Sequence, residues 1–200
     1  LTSALYKKKP KKMIVVEKDK NLVKLLNKEF GNKIDIINND ILKIDENSLN
    51  KEPLIVFGNL PYNISTEILC KWILNIRNEN PWFNSLILMF QKEVADRIIS
   101  EFNSKNYGRI SILANWRLNI EKICDIKPSS FYPKPKIDSS LLIFNHKDEY
   151  FKFKDTKNLE KITRVFFMHR RKMIKKPYNQ LFNGNLDLSS KLKIDLSLRP

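Results

Sequence analysis

Glycine is scarce in this chain, with four in 200 residues, and none of them falls in a GxGxG spacing. A glycine-rich turn that would cradle a phosphate or a cofactor tail is therefore missing from it. Cysteine and histidine are as rare, two of each. Cys70 and Cys124 lie too far apart for a metal knuckle, and four such ligands scattered along the chain do not make a zinc site. Buried, reduced thiols are the expectation for both cysteines, and surface positions for His146 and His169. No apolar run approaches the roughly 18 residues needed to span a bilayer, and no signal-peptide pattern opens the sequence. Acid is in deficit too: 22 Asp and Glu stand against 37 Lys and Arg, a net charge of +15. Such an excess suits a polyanionic partner, because neutralised phosphates release counterions. It equally suits a Lys-rich coding bias that spreads Lys over every surface. What the chain has is core material, 42% hydrophobic residues with 12 Phe among them. That is enough for one medium domain with a small appendage.

Short β-branched runs alternate with helical spacing. Lys12 to Glu17 (KMIVVE) reads as a buried parallel strand ending on an acid. Asp19 is placed to cap a helix carrying Leu22, Val23, Leu25, Leu26 and Phe30. Ile34 to Asn38 is a second strand, followed by Asn39-Asp40. Leu54 to Phe57 is a third and leads into Gly58-Asn59-Leu60-Pro61-Tyr62. Ser65 is the expected N-cap of a helix with Ile68, Leu69, Trp72, Ile73 and Ile76 on one face. Ser85 to Phe90 is a fourth strand, with helix over Lys92 to Glu101. Ile123 to Ile126 and Ser139 to Asn145 flank a Pro-rich loop as an antiparallel pair at the sheet edge. A charged stretch, His146 to Lys157, precedes an amphipathic helix from Leu159 to Met173. The expected fold is α/β, a Rossmann-like sheet over residues 1–147 with a small helical domain over 148–200.

In an open α/β sheet, ligands bind beyond the carboxyl ends of the strands. Glu17, at one such end, can accept both hydroxyls of a ribose, though a solvated acid or local cap would look the same. Asp40 can accept from an adenine amino group, or be an ordinary turn residue. The Asn59-Leu60-Pro61-Tyr62 run is more specific. An exocyclic amine on a planar base is a poor nucleophile because its lone pair is delocalised into the ring. An amide oxygen and a backbone carbonyl that accept its two N–H bonds return that lone pair to nitrogen and aim it at a methyl donor. Proline stiffens the loop and adds no competing N–H. Tyr62 offers a flat face for an extruded base, worth about 1–3 kcal/mol by stacking. The competing account is a Pro-Tyr turn with Asn59 as a helix cap.

Phe131, in a loop stiffened by Pro133 and Pro135, is placed either to close the other face of that base or to plug the core. Lys134 and Lys136 sit where backbone phosphates would pass. Arg170, Arg171 and Lys172, with Arg164 and Lys161 about two turns earlier, form a basic helix face that suits an RNA backbone or plain solvation.

Taken together, these segments resemble the KsgA/RsmA family of small-subunit ribosomal RNA adenine dimethyltransferases. VVEKD (Val15 to Asp19), NNDIL (Asn38 to Leu42), VFGNLPYNIST (Val56 to Thr66) and FQKEVADRI (Phe90 to Ile98) carry the resemblance. SKNYGRISI (Ser104 to Ile112), PSSFYPKPKIDSS (Pro128 to Ser140) and HRRKMI (His169 to Ile174) continue it. The resemblance implies a class I fold that uses S-adenosyl-L-methionine without a metal. It assigns Glu17 to the cofactor ribose, Asp40 and Ile41 to its adenine, and Asn59 to both cofactor and target amine. Leu60 and Pro61 lend backbone to the amine, and Tyr62 and Phe131 sandwich the base. The implied substrate is two adjacent adenines in the 3′-terminal hairpin of 16S rRNA, within the immature small ribosomal subunit. The implied enzyme is a cytoplasmic monomer, and loss of the methyl groups it adds goes with kasugamycin resistance in bacterial members of the family.

The resemblance also implies a glycine-rich loop before Leu1 and a further helix after Pro200. The chain is therefore expected to be incomplete at both ends and to hold cofactor weakly or not at all. Three rivals share parts of the pattern. A macrolide-resistance 23S rRNA methyltransferase has the same Asn-x-Pro-Tyr logic. DNA adenine methyltransferases usually carry Pro-Pro-Tyr after Asp or Asn. A non-catalytic RNA-binding assembly factor could keep the fold alone.

Overall fold

All six strands anticipated from the apolar runs are present. The computed structural model describes residues 1–76 and 81–200, which fall into two units, Leu1–Leu49 and Asn50–Pro200.

The first unit opens with a short helix, α1 (Thr2–Tyr6), then strand β1 (Ile14–Glu17), helix α2 (Lys20–Phe30) and strand β2 (Asp35–Asn38). β1 and β2 pair in parallel, with Glu17 opposite Asn38. Asp19 caps α2 as its position predicts, accepting the Asn21 N–H at 2.7 Å. Asn38 holds the two strand ends together, donating its amide to the Glu17 carbonyl at 2.9 Å and the Lys18 carbonyl at 3.2 Å.

The second unit contains β3 (Leu54–Asn59), α3 (Ser65–Leu74), β4 (Phe83–Gln91), α4 (Lys92–Ile98), α5 (Arg109–Arg117), β5 (Leu118–Ile126) and β6 (Ser139–His146). Three helices follow, α6 (Thr156–Phe167), α7 (Lys175–Phe182) and α8 (Leu186–Lys191). The sheet order is β3-β4-β6-β5, with β3 parallel to β4 and the β5–β6 hairpin antiparallel at the edge. β4 is interior to the sheet, and Phe83, Leu86, Leu88 and Phe90 are fully buried, the last three on one face. Phe144 meets Phe90 edge-on with centroids 6.1 Å apart. Truncating either ring would cost about 3–5 kcal/mol. The outer strand β5 is protected by alternating charges and by a register shift between Lys122 and Cys124.

Four local expectations are corrected. Ser65 is the first residue of α3 rather than its cap; Ile64 holds the cap position without a side-chain bond, and Ser65 Oγ donates to the Tyr62 carbonyl at 3.2 Å. Helix α5, not anticipated from the sequence, buries Ile110, Leu113 and Ala114 and lends two polar side chains to α4. Ser111 Oγ donates to the Arg97 carbonyl at 2.6 Å and Asn115 to the Ile98 carbonyl at 3.1 Å, satisfying acceptors left open at a helix end. Helix α6 stops at Phe167, so Arg170, Arg171 and Lys172 lie in the turn beyond it, off the helix that carries Lys161 and Arg164. Cys124 is exposed on the edge strand, whereas Cys70 is buried as expected. His146 is half-buried: its ring lies 4.3 Å from that of Phe83, and Nε2–H donates to the Phe83 carbonyl at 2.6 Å.

Candidate active site

The candidate residues fall in both units, and each set is placed within its own. In the first unit, Glu17 ends β1, and its Oε1 accepts the Asp19 N–H at 2.7 Å. The second carboxylate oxygen has no partner among the described residues. Asp40 stands two residues past β2 and starts a 3-10 turn over Ile41–Lys43, accepting the Leu42 N–H at 3.0 Å. Its other oxygen takes Lys18 Nζ at 2.8 Å. The Lys18 hydrogen bond foremost, and the Leu42 N–H after it, hold the Asp40 carboxyl below the usual carboxylate range. Asp40 is thus charged at neutral pH and remains an acceptor. Ile41 beside it is half-buried. Two carboxylates at strand ends with a half-covered aliphatic side chain fit an adenosine: acceptors for hydroxyls and an amino group, and an apolar contact for a ring. Among the described residues, no group of three or more His, Cys, Asp or Glu side chains is arranged to hold a metal ion.

In the second unit, β3 delivers Asn59 to the loop. Every second residue of the strand is exposed, and Asn59 shares the outward phase with Ile55 and Phe57. Its side-chain amide makes no hydrogen bond to the described residues and caps no helix, which removes the helix-cap account. Leu60 turns inward and is buried. It can do so because Gly58 has no side chain: a Cβ there would lie 2.8 Å from Leu88 Cδ2 and 3.0 Å from Leu60 Cδ2. Pro61 starts the turn, and its carbonyl accepts the Ile64 N–H at 3.1 Å. The Pro61 and Tyr62 carbonyls are engaged, whereas the Asn59 amide and the Leu60 carbonyl have no partner among the described residues. Tyr62 is half-buried, and its hydroxyl is 2.7 Å from Ser139 Oγ at the start of β6.

Phe131 is half-buried and follows a 3-10 turn, Pro128–Ser130, with its N–H on the Pro128 carbonyl at 3.1 Å. Among the described residues no ring contact joins it to Tyr62. The loop that carries it is tied at its base by Lys127 Nζ to Asp138 Oδ2 at 2.9 Å and by the Lys92 N–H to the Asp138 carbonyl at 3.0 Å. Lys134 and Lys136 are exposed along it. Farther along, Arg164 pairs with Glu160 at 2.5 Å, and Arg109 of α5 binds the same carboxylate at 3.1 Å. Arg170 donates to the Lys105 carbonyl at 2.6 Å, while Arg171 and Lys172 are exposed. Sequence reasoning missed Ser139 and Asp138. The IDSS segment showed two serines, but no local pattern says which face of a strand a serine serves.

An α/β sheet with an edge hairpin and an amide-Pro-Tyr turn at a parallel strand's carboxyl end defines the class: a Rossmann-like, S-adenosylmethionine-dependent methyltransferase. The fold agrees with solved structures. It matches a dimethyladenosine transferase from Plasmodium falciparum at TM-score 0.67 and 24% identity, covering 94% of this chain and 68% of that one. It also matches the 23S rRNA methyltransferase ErmE at TM-score 0.61 and 18% identity, covering 94% and 75%. Fold alone does not separate those two. Residues 1–198 match the family model for ribosomal RNA adenine dimethylase, and the chain belongs to that family. It is 64% identical over 200 residues to Ribosomal RNA small subunit methyltransferase A of Pelagibacter ubique, an alignment spanning 100% of this chain and 76% of the relative.

Proposed function

We propose that the chain dimethylates the N6 amines of two adjacent adenines in the 3′-terminal hairpin of 16S rRNA, acting as a cytoplasmic monomer on the immature small ribosomal subunit. The observation that carries this reading is the pair of acceptors without a described partner, Asn59 amide and Leu60 carbonyl, beside Tyr62, whose carbonyl accepts from Ser65 and whose hydroxyl meets Ser139. The Asn59 oxygen and the Leu60 carbonyl accept the two N–H bonds of the amine, which localises its lone pair. A monomethylated amine keeps one N–H and its lone pair, so the same acceptors serve a second transfer. Tyr62 stacks on one face of the extruded base and Phe131 closes the other. Glu17 holds the ribose of S-adenosylmethionine, and Asp40 and Ile41 hold its adenine. When bound, that cofactor supplies an electrophilic sulfonium methyl group.

Residues 1–147 serve as the catalytic domain and 148–200 as a helical RNA-binding domain. Lys134, Lys136, Arg164, Arg170, Arg171 and Lys172 neutralise backbone phosphates. Lys175 and Lys176 extend the patch into the first turn of α7, where the helix dipole disfavours cations. Positive charge retained there suits an anionic partner. No described helix is long and apolar enough to cross a membrane.

The test is a methyl-transfer assay on small subunits lacking the modification, with product nucleosides identified. N6,N6-dimethyladenosine at two adjacent positions of the 16S 3′ hairpin is the expected product. Methylation of 23S rRNA instead, or RNA binding without any transfer, would overturn the reading.

A further inference from the structure

Tyr62 and Ser139 are 77 residues apart in the chain, yet their hydroxyls are 2.7 Å from one another. Ser139 is wholly shielded from solvent. A hydroxyl in such a place costs stability unless it is paired, so an alanine or valine would serve packing better than an unpaired serine. Its neighbour Ser140 is equally buried and, one residue on along a pleated strand, faces the other way. Ser140 Oγ donates to Asp125 Oδ1 at 2.7 Å. Asp125 also holds Lys122 at 2.7 Å and forms an ion pair with Lys92, the first residue of α4. The first two residues of β6 are thus pinned from both faces of the sheet.

We propose that Ser139 is a positioning residue for the reaction, fixing the position of the Tyr62 ring against which the target base stacks. The proposal rests on the role given to Tyr62 above. A tyrosine ring turns about two side-chain torsions. The Ser65 hydroxyl on the Tyr62 carbonyl holds one end of the residue, and Ser139 on the phenol holds the other. The backbone bond fixes the root of the side chain, the phenol bond fixes the direction of the ring about its first torsion, and conjugation of the phenol oxygen restrains the second, so the ring loses little further freedom when a base stacks on it. The same bond couples the Tyr62 turn to the point where the Phe131 loop rejoins the sheet. That junction is held by the Lys127–Asp138 pair and the Lys92 N–H on the Asp138 carbonyl. Ser139 therefore sets the ring relative to the root of the second aromatic, and misplacement of a base by an ångström is costly to transfer.

The experiment compares Tyr62→Phe, Ser139→Ala, the double variant and Tyr62→Ala in the full chain. It reads single-turnover methyl transfer, RNA affinity, thermal midpoint and the fluorescence of 2-aminopurine at the target position. Removing one hydroxyl strands the other, so each single variant is expected to unfold at a lower temperature. Removing both strands neither, so the double variant regains the wild-type midpoint. A bond that only satisfied a buried hydroxyl would let methyl transfer recover with the midpoint. The positioning role instead predicts a transfer rate depressed at least about tenfold in the double variant. It also predicts unchanged RNA affinity and weaker quenching of the 2-aminopurine. Wild-type transfer and quenching in the double variant overturn the proposal. If Tyr62→Ala itself transfers normally, the fault lies with the stacking role assigned to Tyr62, which separates the two failures.

Discussion

Gly58 and Leu88 approach so closely that a methyl group on the glycine would come to 2.8 Å from Leu88 Cδ2. Leu88 is fully buried, so it has little room to retreat. This contact lets Leu60 fold inward and leaves the next residues to form the Pro61-Tyr62 turn. Gly58→Ala is expected to cost about 1–3 kcal/mol as an overpacking change. Urea unfolding should show it as a lower midpoint at constant slope, and methyl transfer should fall because Leu60 is displaced from beneath the loop.

Asn59 carries an amide with no described partner at the end of β3. Asn59→Ala therefore leaves no stranded group and should unfold at nearly the wild-type temperature. Transfer should fall by about 10²–10³-fold, the scale of losing one preorganised polar group at a reacting centre. RNA affinity, measured by filter binding, should stay within about twofold, since phosphate contacts supply most of it. Normal dimethylation by this variant would remove Asn59 from the reaction.

Replacing Arg170, Arg171 and Lys172 with Gln should weaken RNA binding and flatten its dependence on salt. Each side chain that sits on a phosphate contributes about one to the slope of log affinity against log salt. Arg170 already donates to the Lys105 carbonyl, so Arg171 and Lys172 should account for most of the change. An unchanged slope would return this turn to plain solvation.

The Asp125 carboxyl is held below the usual carboxylate range, first by the Lys122 hydrogen bond, then by Lys92 and Ser140. A carboxyl with a depressed folded-state pKa stabilises the fold above its unfolded value, about 3.9, and that contribution disappears as pH falls toward the folded value. Thermal midpoints of wild type and Asp125→Asn should differ at pH 7 and begin to converge only as pH falls below about 4. Parallel curves across that window would show that the ion group does not titrate as its contacts require.

Cys124 is exposed and Cys70 is buried, with its thiol pushed up by desolvation. Iodoacetamide should therefore modify Cys124 in the native chain and reach Cys70 only in denaturant. Mass spectrometry of the peptides distinguishes the two sites.

By itself the sequence determined the strands, the Asp19 cap, and the α3 face of Ile68, Leu69, Trp72 and Ile73, all of them buried, as is Ile76 just past the helix. Those features depend on spacing and local chemistry, which a linear chain displays. It also displayed the Asn59-to-Tyr62 turn, because an amide, a proline and an aromatic after a buried strand leave few other uses. Helix α5 was not anticipated although Ile110, Leu113 and Ala114 recur at helical spacing; what the linear chain does not display is that Ser111 and Asn115 bind carbonyls of α4. The end of α6 was misjudged because basic residues continue past the last helical hydrogen bonds. Cys124 and His146 turned on which face of an edge hairpin each occupies. Tertiary structure alone decided the partnership of Tyr62 with Ser139. A hydrogen bond between residues far apart in the chain leaves no periodicity and no cap signature, since it exists only once β6 has been threaded beside β4.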